Sequence, residues 1–226
     1  DNMGAFGGPD IITDGLVFLV DAASARSYPG SGNTWYDLSG NNYDLTLTNG
    51  PVWNSAGYFD NDVDSYFTGA GGSNIPTGND PYTMVVWARQ NTSWNGGAGL
   101  ISIGGFLTTS QSNALRTLTS SVGTFIAYWW GNDLYLSSNT GSLAVGEWFQ
   151  VAASFDGTTR RIWVNGVSRS SDTPTGHNVT STTIQVSKTY GSEYQVGDMA
   201  IACIYDRGLT SAEMLQNYNA QKNRFI

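Results

Sequence analysis

The sequence has one cysteine, one histidine and few charged residues. Cys203 cannot form an internal disulfide, and its place in the apolar run A-I-A-C-I-Y predicts a small buried side chain. A single histidine, His177, excludes zinc sites built from several histidines and cysteines. No run approaches the ~20 apolar residues of a transmembrane helix, so membrane insertion is not expected.

Positive charge is scarce and scattered along the chain. Ten Lys and Arg residues stand against eighteen Asp and Glu, which gives a net charge of −8. Without a basic cluster, neither nucleic-acid binding nor polybasic membrane contact is expected. Charged residues make up only 12% of the chain and glycine occurs 28 times, which favours a Ser/Thr/Asn surface with many short strands and tight turns.

The patterns that would indicate catalysis are also missing. Glycoside hydrolysis needs two carboxylates flanking one bond, and the glutamates Glu147, Glu193 and Glu213 form no closely spaced acidic motif. A Ser-His-Asp triad stays open by residue count, but no G-x-S-x-G elbow is present, and His177 lies in a polar loop where a solvated side chain is predicted. We therefore predict that the chain is not an enzyme.

What the sequence does contain is an alternation of apolar and polar residues with a period of two, which is clearest between Glu147 and Ser171. Two alternating apolar runs are separated by Asp156-Gly157, which predicts the tight turn of an antiparallel hairpin. Asn165-Gly166 then predicts a second reversal or a bulge. A long apolar hairpin needs a broad apolar partner, so we predict that it lies at the centre of an antiparallel β-sandwich.

The rest of the chain fits one all-β domain. Tyr82 to Arg89 predicts a strong strand with Trp87 in the core. Thr210-Ser211-Ala212-Glu213 has the form of a capping box and predicts a short C-terminal helix that ends near Asn223. Residues 1–11 are predicted to be an arm or linker, and residues 12–226 the domain.

Three segments carry a resemblance to a known family. The hairpin, with W-x-x-V-A-x-x-F-D-G-T and V-N-G, resembles the central hairpin of laminin-G-like jelly rolls in the concanavalin A-like lectin/glucanase superfamily. The G-L-V, S-Y-P-G-S-G and D-L-S-G-N motifs of residues 15–41 resemble the versions carried by tailed-phage virion proteins. The segment from G-D-M-A to R-F, residues 197–225, resembles the usual family ending.

This resemblance implies a jelly roll with a non-catalytic role on a virion surface, in a tail fibre, head fibre or capsid decoration protein. The implied partners are host-surface glycans or polysaccharide and other virion proteins, with a homo-trimer as one assembly. Two alternatives stay open. One is a purely structural decoration or assembly module, and the other is a carbohydrate-binding accessory module of a secreted, extracellular bacterial protein.

Aromatic residues in or beside loops are the candidates for glycan binding, because sugars stack on aromatic faces and bind Asn and Asp through their hydroxyls. The predicted residues are Trp94, Trp129, Trp130, Asn132, Asp133 and Tyr135. Since adjacent side chains of a strand point to opposite faces, one of Trp129 and Trp130 must face outward. The alternative is that both tryptophans cap the core or a subunit interface.

Asp60, Asp62 and Asp64 form an acidic group within five residues, in a segment that resembles the family's F-D-G-x-D-D-Y motif. Clustered hard oxygen ligands suit Ca²⁺, and some related jelly rolls bind Ca²⁺ on a rim. The sequence therefore predicts a calcium site at these aspartates. The alternative is that their carboxylates accept hydrogen bonds from turn amides.

Overall fold

Strands are the main regular elements of the chain. The computed structural model describes residues 10–91 and 93–226, so most of the predicted arm, positions 1–9, lies outside the described residues. Within these ranges the strands are β1 (Leu16–Asp21), β2 (Thr34–Trp35), β3 (Leu45–Thr48), β4 (Val52–Asn54), β5 (Tyr58–Asn61), β6 (Tyr66–Ala70), β7 (Tyr82–Arg89), β8 (Gly99–Gly104), β9 (Ser112–Thr117), β10 (Phe125–Tyr128), β11 (Leu134–Leu136), β12 (Trp148–Phe155), β13 (Arg160–Val164), β14 (Val167–Asp172), β15 (Thr183–Val186) and β16 (Gly197–Tyr205). They are followed by the helix α1 (Ser211–Gln221) and a 3₁₀ turn (Lys222–Arg224). No helix in the described ranges is long and apolar enough to cross a membrane.

Two antiparallel sheets face each other across the core. The first sheet has the strand order β14-β13-β12-β7-β16-β5-β4, with β1 also paired to β16, and the second has the order β11-β10-β9-β8-β15-β6-β3-β2. Large buried side chains from both sheets, such as Trp35, Phe67 and Phe149, fill the space between them. The predicted antiparallel β-sandwich with a short C-terminal helix is confirmed.

The predicted hairpin forms from β12 and β13. The two strands pair up to Phe155 opposite Arg160. Gly157 has a φ of 95°, in the left-handed region that such a turn needs and that glycine adopts without steric strain. The Asp156 carboxylate accepts hydrogen bonds from the backbone amides of Thr158 and Thr159, at 3.0 and 2.8 Å, which fixes the reversal.

The hairpin supplies side chains to the core of the sandwich from both of its strands, but within the first sheet it lies towards one edge, which the prediction did not specify. Asn165 and Gly166, with φ of 51° and 75°, reverse the chain into β14, which takes the sheet edge next to β13. The strands β7 and β16 take the middle instead. Local turn chemistry was correctly predicted, whereas the position of the hairpin depends on pairing with strands far away in sequence.

Trp87 is buried as predicted, but on the outer side of the first sheet. Its ring stacks against Tyr218 and Phe225, with centroids 5.7 and 4.3 Å away. Its Nε1 donates a hydrogen bond to Gln221 at 2.7 Å. The C-terminal segment therefore covers the outer face of the first sheet.

Two further local predictions are confirmed. Thr210 is the N-cap of α1, and Thr210 and Glu213 form the reciprocal hydrogen bonds of a capping box. The helix and the 3₁₀ turn end close to the predicted boundary at Asn223. Cys203 is 4% exposed, which agrees with a small apolar residue in a continuous buried strand.

Candidate functional site

Four aromatic side chains meet on the outer surface of the second sheet. They are Phe106, Tyr128, Trp130 and Tyr190, named here the aromatic cluster. The Trp130 ring centroid lies 4.8 Å from that of Tyr190, 5.6 Å from that of Tyr128 and 5.9 Å from that of Phe106. Phe106 and Trp130 are half-buried and Tyr190 is 38% exposed, so the cluster presents aromatic surface to solvent.

Alternation along β10 decides which rings reach this surface. Ala127 packs in the core, so its neighbour Tyr128 points outward. Just beyond the strand, Trp129 is fully buried and Trp130 is half-buried on the outer side. The prediction that one of these two tryptophans faces outward is confirmed.

The turn after β10 holds Trp130 in an unusual backbone conformation. Its φ is 59°, in the left-handed region, and Gly131 follows with a φ of 79°. For a bulky residue this conformation costs of order 1–3 kcal/mol. Two hydrogen bonds fix the turn: Trp129 N donates to Asp133 Oδ1 at 2.9 Å, and Ser110 N donates to the Trp129 carbonyl at 2.6 Å.

The loop between β15 and β16 brings Tyr190 to the cluster. Glu193 fastens this loop, because its carboxylate accepts hydrogen bonds from Thr189 Oγ1 at 2.6 Å and Tyr190 N at 3.3 Å and pairs with Arg116 of β9. The loop also lies directly on β8 at Gly99, where an added Cβ would come within 2.2 Å of Thr189 N. The position of Tyr190 therefore depends on the ion pair between Glu193 and Arg116 and on a glycine at position 99, where a larger residue would displace the loop.

Polar groups border the aromatic cluster. The Arg116 guanidinium lies 4.5 Å from the Tyr128 ring centroid while it pairs with Glu193. Burial, followed by the charge of Glu193, raises the pKa of Tyr128 to about 12, so its phenol stays protonated. Tyr135 is 48% exposed, with its hydroxyl 3.4 Å from Asp133 Oδ2. Aromatic rings beside such groups can stack on a sugar ring and bind its hydroxyls.

Comparison with known families agrees with this architecture. A laminin-G-type family model, described as the concanavalin A-like lectin/glucanases superfamily, matches residues 60–214, more than half of the chain. The chain belongs to this superfamily. A comparison with curated protein sequences found no match.

Several solved structures share the concanavalin A-like fold at low identity. Trypanosoma rangeli sialidase in complex with sialic acid is 16% identical with a TM-score of 0.70, and the match covers 100% of this chain and 36% of that one. The binding domain of Paraclostridial Mosquitocidal Protein 1 is 15% identical with a TM-score of 0.63, covering 93% and 53%. The botulinum neurotoxin serotype D ligand binding domain in complex with N-acetylneuraminic acid is 13% identical with a TM-score of 0.66, covering 93% and 52%. The chain thus spans between about a third and about a half of these proteins, and identities this low establish the fold alone.

Two of the six residues predicted to bind glycans are buried in this concanavalin A-like domain. Trp94, expected at a loop tip, is 4% exposed and packs against Phe125 and Phe149 in the core. Trp129 is fully buried as well. Neither ring presents a face to solvent. The Trp94 ring packs into the core, and Trp129 occupies the inward-facing position just after β10.

The other four predicted residues lie at one end of the outer surface of the second sheet. Trp130 belongs to the aromatic cluster, and Asp133 and Tyr135 border it. Asn132 is engaged within the protein, where its Nδ2 donates to Ser110 Oγ at 3.1 Å. The structure thus brings Trp130, Asp133 and Tyr135 together on an accessible surface, and their contact with a glycan stays a prediction.

The other members of the aromatic cluster, and Arg116 beside it, were missed from the sequence. Phe106, Tyr190 and Arg116 come from segments far apart in the chain, and only the sheet pairing brings them together. For Tyr128, the sequence did contain one indication that it faces outward with Trp130. It precedes Trp130 by two positions, and a period of two places such residues on the same face.

His177 is not the solvated loop residue that the sequence predicted. It is 5% exposed, and its ring stacks on Trp129 with centroids 3.7 Å apart and an interplanar angle of 7°. Burial, and then the nearby Arg160, lower its pKa to about 4, so the imidazole is neutral at neutral pH. Neither ring nitrogen has a serine hydroxyl or a carboxylate of the described residues within hydrogen-bond distance, which does not fit a Ser-His-Asp arrangement.

The three aspartates predicted to bind calcium are exposed, with Asp60 in β5 and Asp62 and Asp64 just after it. Asp62 Oδ1 accepts from Val63 N at 2.7 Å, and Asp64 Oδ2 accepts from Asn49 Nδ2 at 3.1 Å. Among residues 10–91 and 93–226, no group of three or more Asp, Glu, His or Cys side chains is placed to hold a metal ion. These contacts do not supply the 6–8 oxygen ligands that Ca²⁺ takes, and calcium binding stays a prediction.

Each of the three glutamates has a structural partner. Glu147 Oε2 accepts from Ala144 N at 2.9 Å. Glu213 pairs with Arg207 at 2.7 Å and caps α1. Glu193 holds the β15–β16 loop, so the three carboxylates serve separate elements of the fold.

Proposed function

We propose that this domain is a non-catalytic glycan-binding module and that the aromatic cluster is its binding surface. The observation that carries the proposal is Trp130, whose strained backbone holds the ring beside Tyr128 and Tyr190 on the outer surface. Strain of this kind concentrates at functional positions. The apolar C–H faces of a sugar can stack on such rings, and its hydroxyls can form hydrogen bonds with the neighbouring Asp133 and Tyr135.

Two of the structurally similar proteins support carbohydrate as the ligand class. The sialidase was solved with sialic acid, and the neurotoxin domain with N-acetylneuraminic acid. Sialic acid is therefore one of the first ligands to test. The low identities mean that the residues in contact with sugar are argued from this chain alone.

We propose a non-catalytic role because the carboxylates near the aromatic cluster already have structural partners. Glycoside hydrolysis uses two carboxyl groups about 5–9.5 Å apart across one sugar. Glu193, the one glutamate near the aromatic cluster, is paired with Arg116 and bonded to two groups of its own loop. The carboxylate of Asp133 accepts from Trp129 N and holds the turn. Release of sugar from any polysaccharide by the pure protein would overturn this part.

For the biological setting we propose a virion surface, in a tail fibre, head fibre or capsid decoration protein. The support is the resemblance of residues 15–41 to domains of tailed-phage virion proteins. Host-surface polysaccharide and other virion proteins are then the partners, and sedimentation analysis tests the homo-trimer. A gene located among carbohydrate-degrading enzymes, and away from tail or capsid genes, would favour the secreted accessory module.

A purely structural assembly module is the second candidate. Leu107, the residue after Phe106 in the loop beyond β8, is 65% exposed, and the half-buried rings of Phe106 and Trp130 add apolar surface on the second sheet. An exposed apolar patch of this kind also suits a protein partner. This candidate predicts that substitution of Trp130 impairs assembly while the wild type binds no glycan.

The test is a glycan array followed by calorimetry on the wild type and Trp130→Ala. We expect Trp130→Ala to bind at least about tenfold more weakly, a loss of about 1.4 kcal/mol. The matched control is Trp148→Ala, since Trp148 is also half-buried but lies on the first sheet, against Tyr58 and Phe225. Equal loss in both variants, or unchanged binding by Trp130→Ala, would reject the aromatic cluster as the binding surface.

A further inference from the structure

Lys188 lies beyond the aromatic cluster on the same side of the sandwich. Lys188 Nζ sits 4.2 Å from the Tyr66 ring centroid and 4.8 Å from that of Tyr194, and it donates to the Tyr194 hydroxyl at 3.3 Å. Within the described part of the chain, no Asp or Glu oxygen lies within 4.0 Å of it. An ammonium group has three donors, so Lys188 has hydrogen-bonding capacity to spare.

Two charged groups at the aromatic cluster already have partners. Arg116 is neutralised by Glu193. Asp133 lies at the opposite end, in the turn after β10, where its carboxylate accepts from Trp129 N. Lys188 has no such carboxylate partner among the described residues, so an external anion can balance its charge.

Lys188 is also linked to the aromatic cluster by the chain itself. It lies two residues before Tyr190, in the loop that Glu193 holds in place. Tyr66 belongs to β6 and Tyr128 to β10, with β15, β8 and β9 between those strands. At about 4.8 Å per strand, the two tyrosines are about 19 Å apart across the sheet. A glycan in contact with both is an oligosaccharide.

We propose that Lys188, held between Tyr66 and Tyr194, forms a second subsite that takes an anionic substituent, a carboxylate or sulfate, of a glycan bound at the aromatic cluster. This inference rests on the proposed glycan-binding function. Partial burial between two rings weakens solvent screening of the ammonium and strengthens its attraction for an anion. The net charge of −8 repels polyanions at longer range, which favours a glycan with single acidic groups.

The experiment compares three oligosaccharides of identical backbone, one neutral, one with a single carboxylate and one with a single sulfate, by calorimetry. We expect the wild type to bind at least one acidic form about three- to tenfold more tightly than the neutral form. Lys188→Met should remove this preference and leave affinity for the neutral form unchanged. Lys188→Arg should keep the preference, and an unchanged melting temperature shows that both variants fold.

Lys222→Met is the matched control, since Lys222 Nζ also lies over a tyrosine ring, that of Tyr218 at 5.6 Å, but beside α1. It should keep the preference. Equal binding of acidic and neutral forms by the wild type, or a preference that survives in Lys188→Met, would overturn this inference and leave the proposed function standing. A wild type that binds no oligosaccharide would overturn both.

Discussion

Mild acid should destabilise this protein through His177. Burial against Trp129 and the nearby Arg160 lower the pKa of His177 from 6.5 to about 4 in the folded state. In the unfolded chain the imidazole binds a proton as the pH falls through 6.5, whereas the folded protein resists protonation down to about pH 4. The unfolded state thus binds more protons in this window, so stability rises with pH across it and is lost as the pH falls.

The size of the effect follows from the two pKa values. One pKa unit corresponds to about 1.36 kcal/mol. Linkage then gives a loss of about 2 kcal/mol in the free energy of unfolding between roughly pH 7 and roughly pH 5, with about 1 kcal/mol more by roughly pH 4. Domains are commonly stable by about 5–15 kcal/mol, so urea denaturation can measure this change.

The assay is urea denaturation at a series of pH values, for the wild type and for His177→Phe. Phenylalanine keeps a flat ring against Trp129 and carries no titrating group. Carboxylates such as Glu213, whose pKa is lowered to about 2 mainly by its bond to Arg207, also weaken the fold in acid. That loss begins below the ordinary value of 4.5 and is the same in both proteins, so it cancels in the comparison.

The wild type should therefore lose about 2 kcal/mol more than His177→Phe between roughly pH 7 and roughly pH 5. Two matching pH profiles would refute the reasoning. They would mean that His177 is solvated or partnered in the folded protein, as the sequence alone predicted.

Three further predictions concern backbone geometry and calcium. Gly157→Ala should destabilise the fold by about 1–2 kcal/mol, because φ is 95° while the nearest atom to a new Cβ, Pro81 Cγ, is 3.8 Å away; an unchanged urea midpoint would contradict this. Gly99→Ala should weaken glycan binding as well as stability, since its Cβ would displace the β15–β16 loop at Thr189, and full retention of glycan affinity would count against the loop's role. If the three aspartates around the end of β5 bind calcium, saturating Ca²⁺ should raise the melting temperature and a chelator should reverse it; no shift would reject the site.

The fold was largely predictable because its signals are local. A period of two places apolar residues on one face of a strand, and Asp156-Gly157 adopts the turn that such strands need. The capping box of Thr210 and Glu213 likewise involves residues three positions apart. These arrangements depend on neighbours in the sequence, and the structure reproduces each of them.

The candidate site was only partly predictable because burial depends on distant segments. Trp94 and Trp130 both stand next to Asn and Gly in the sequence, yet one packs against Phe125 and Phe149 and the other lies on the outer surface. The polar loop that contains His177 gives no sign that this ring stacks on Trp129. The solvent exposure of a loop residue depends on which distant segments of the chain pack against it.

By itself, the sequence determined the sandwich, its turns and the helix start, since strand alternation, positive φ and capping are properties of a few adjacent residues. Only the tertiary structure decided that the hairpin sits towards a sheet edge and that an aromatic surface is assembled from β10, the loop after β8 and the β15–β16 loop. The physical reason is that strand order and loop packing depend on contacts between segments far apart in the chain. These segments compete for the same buried space.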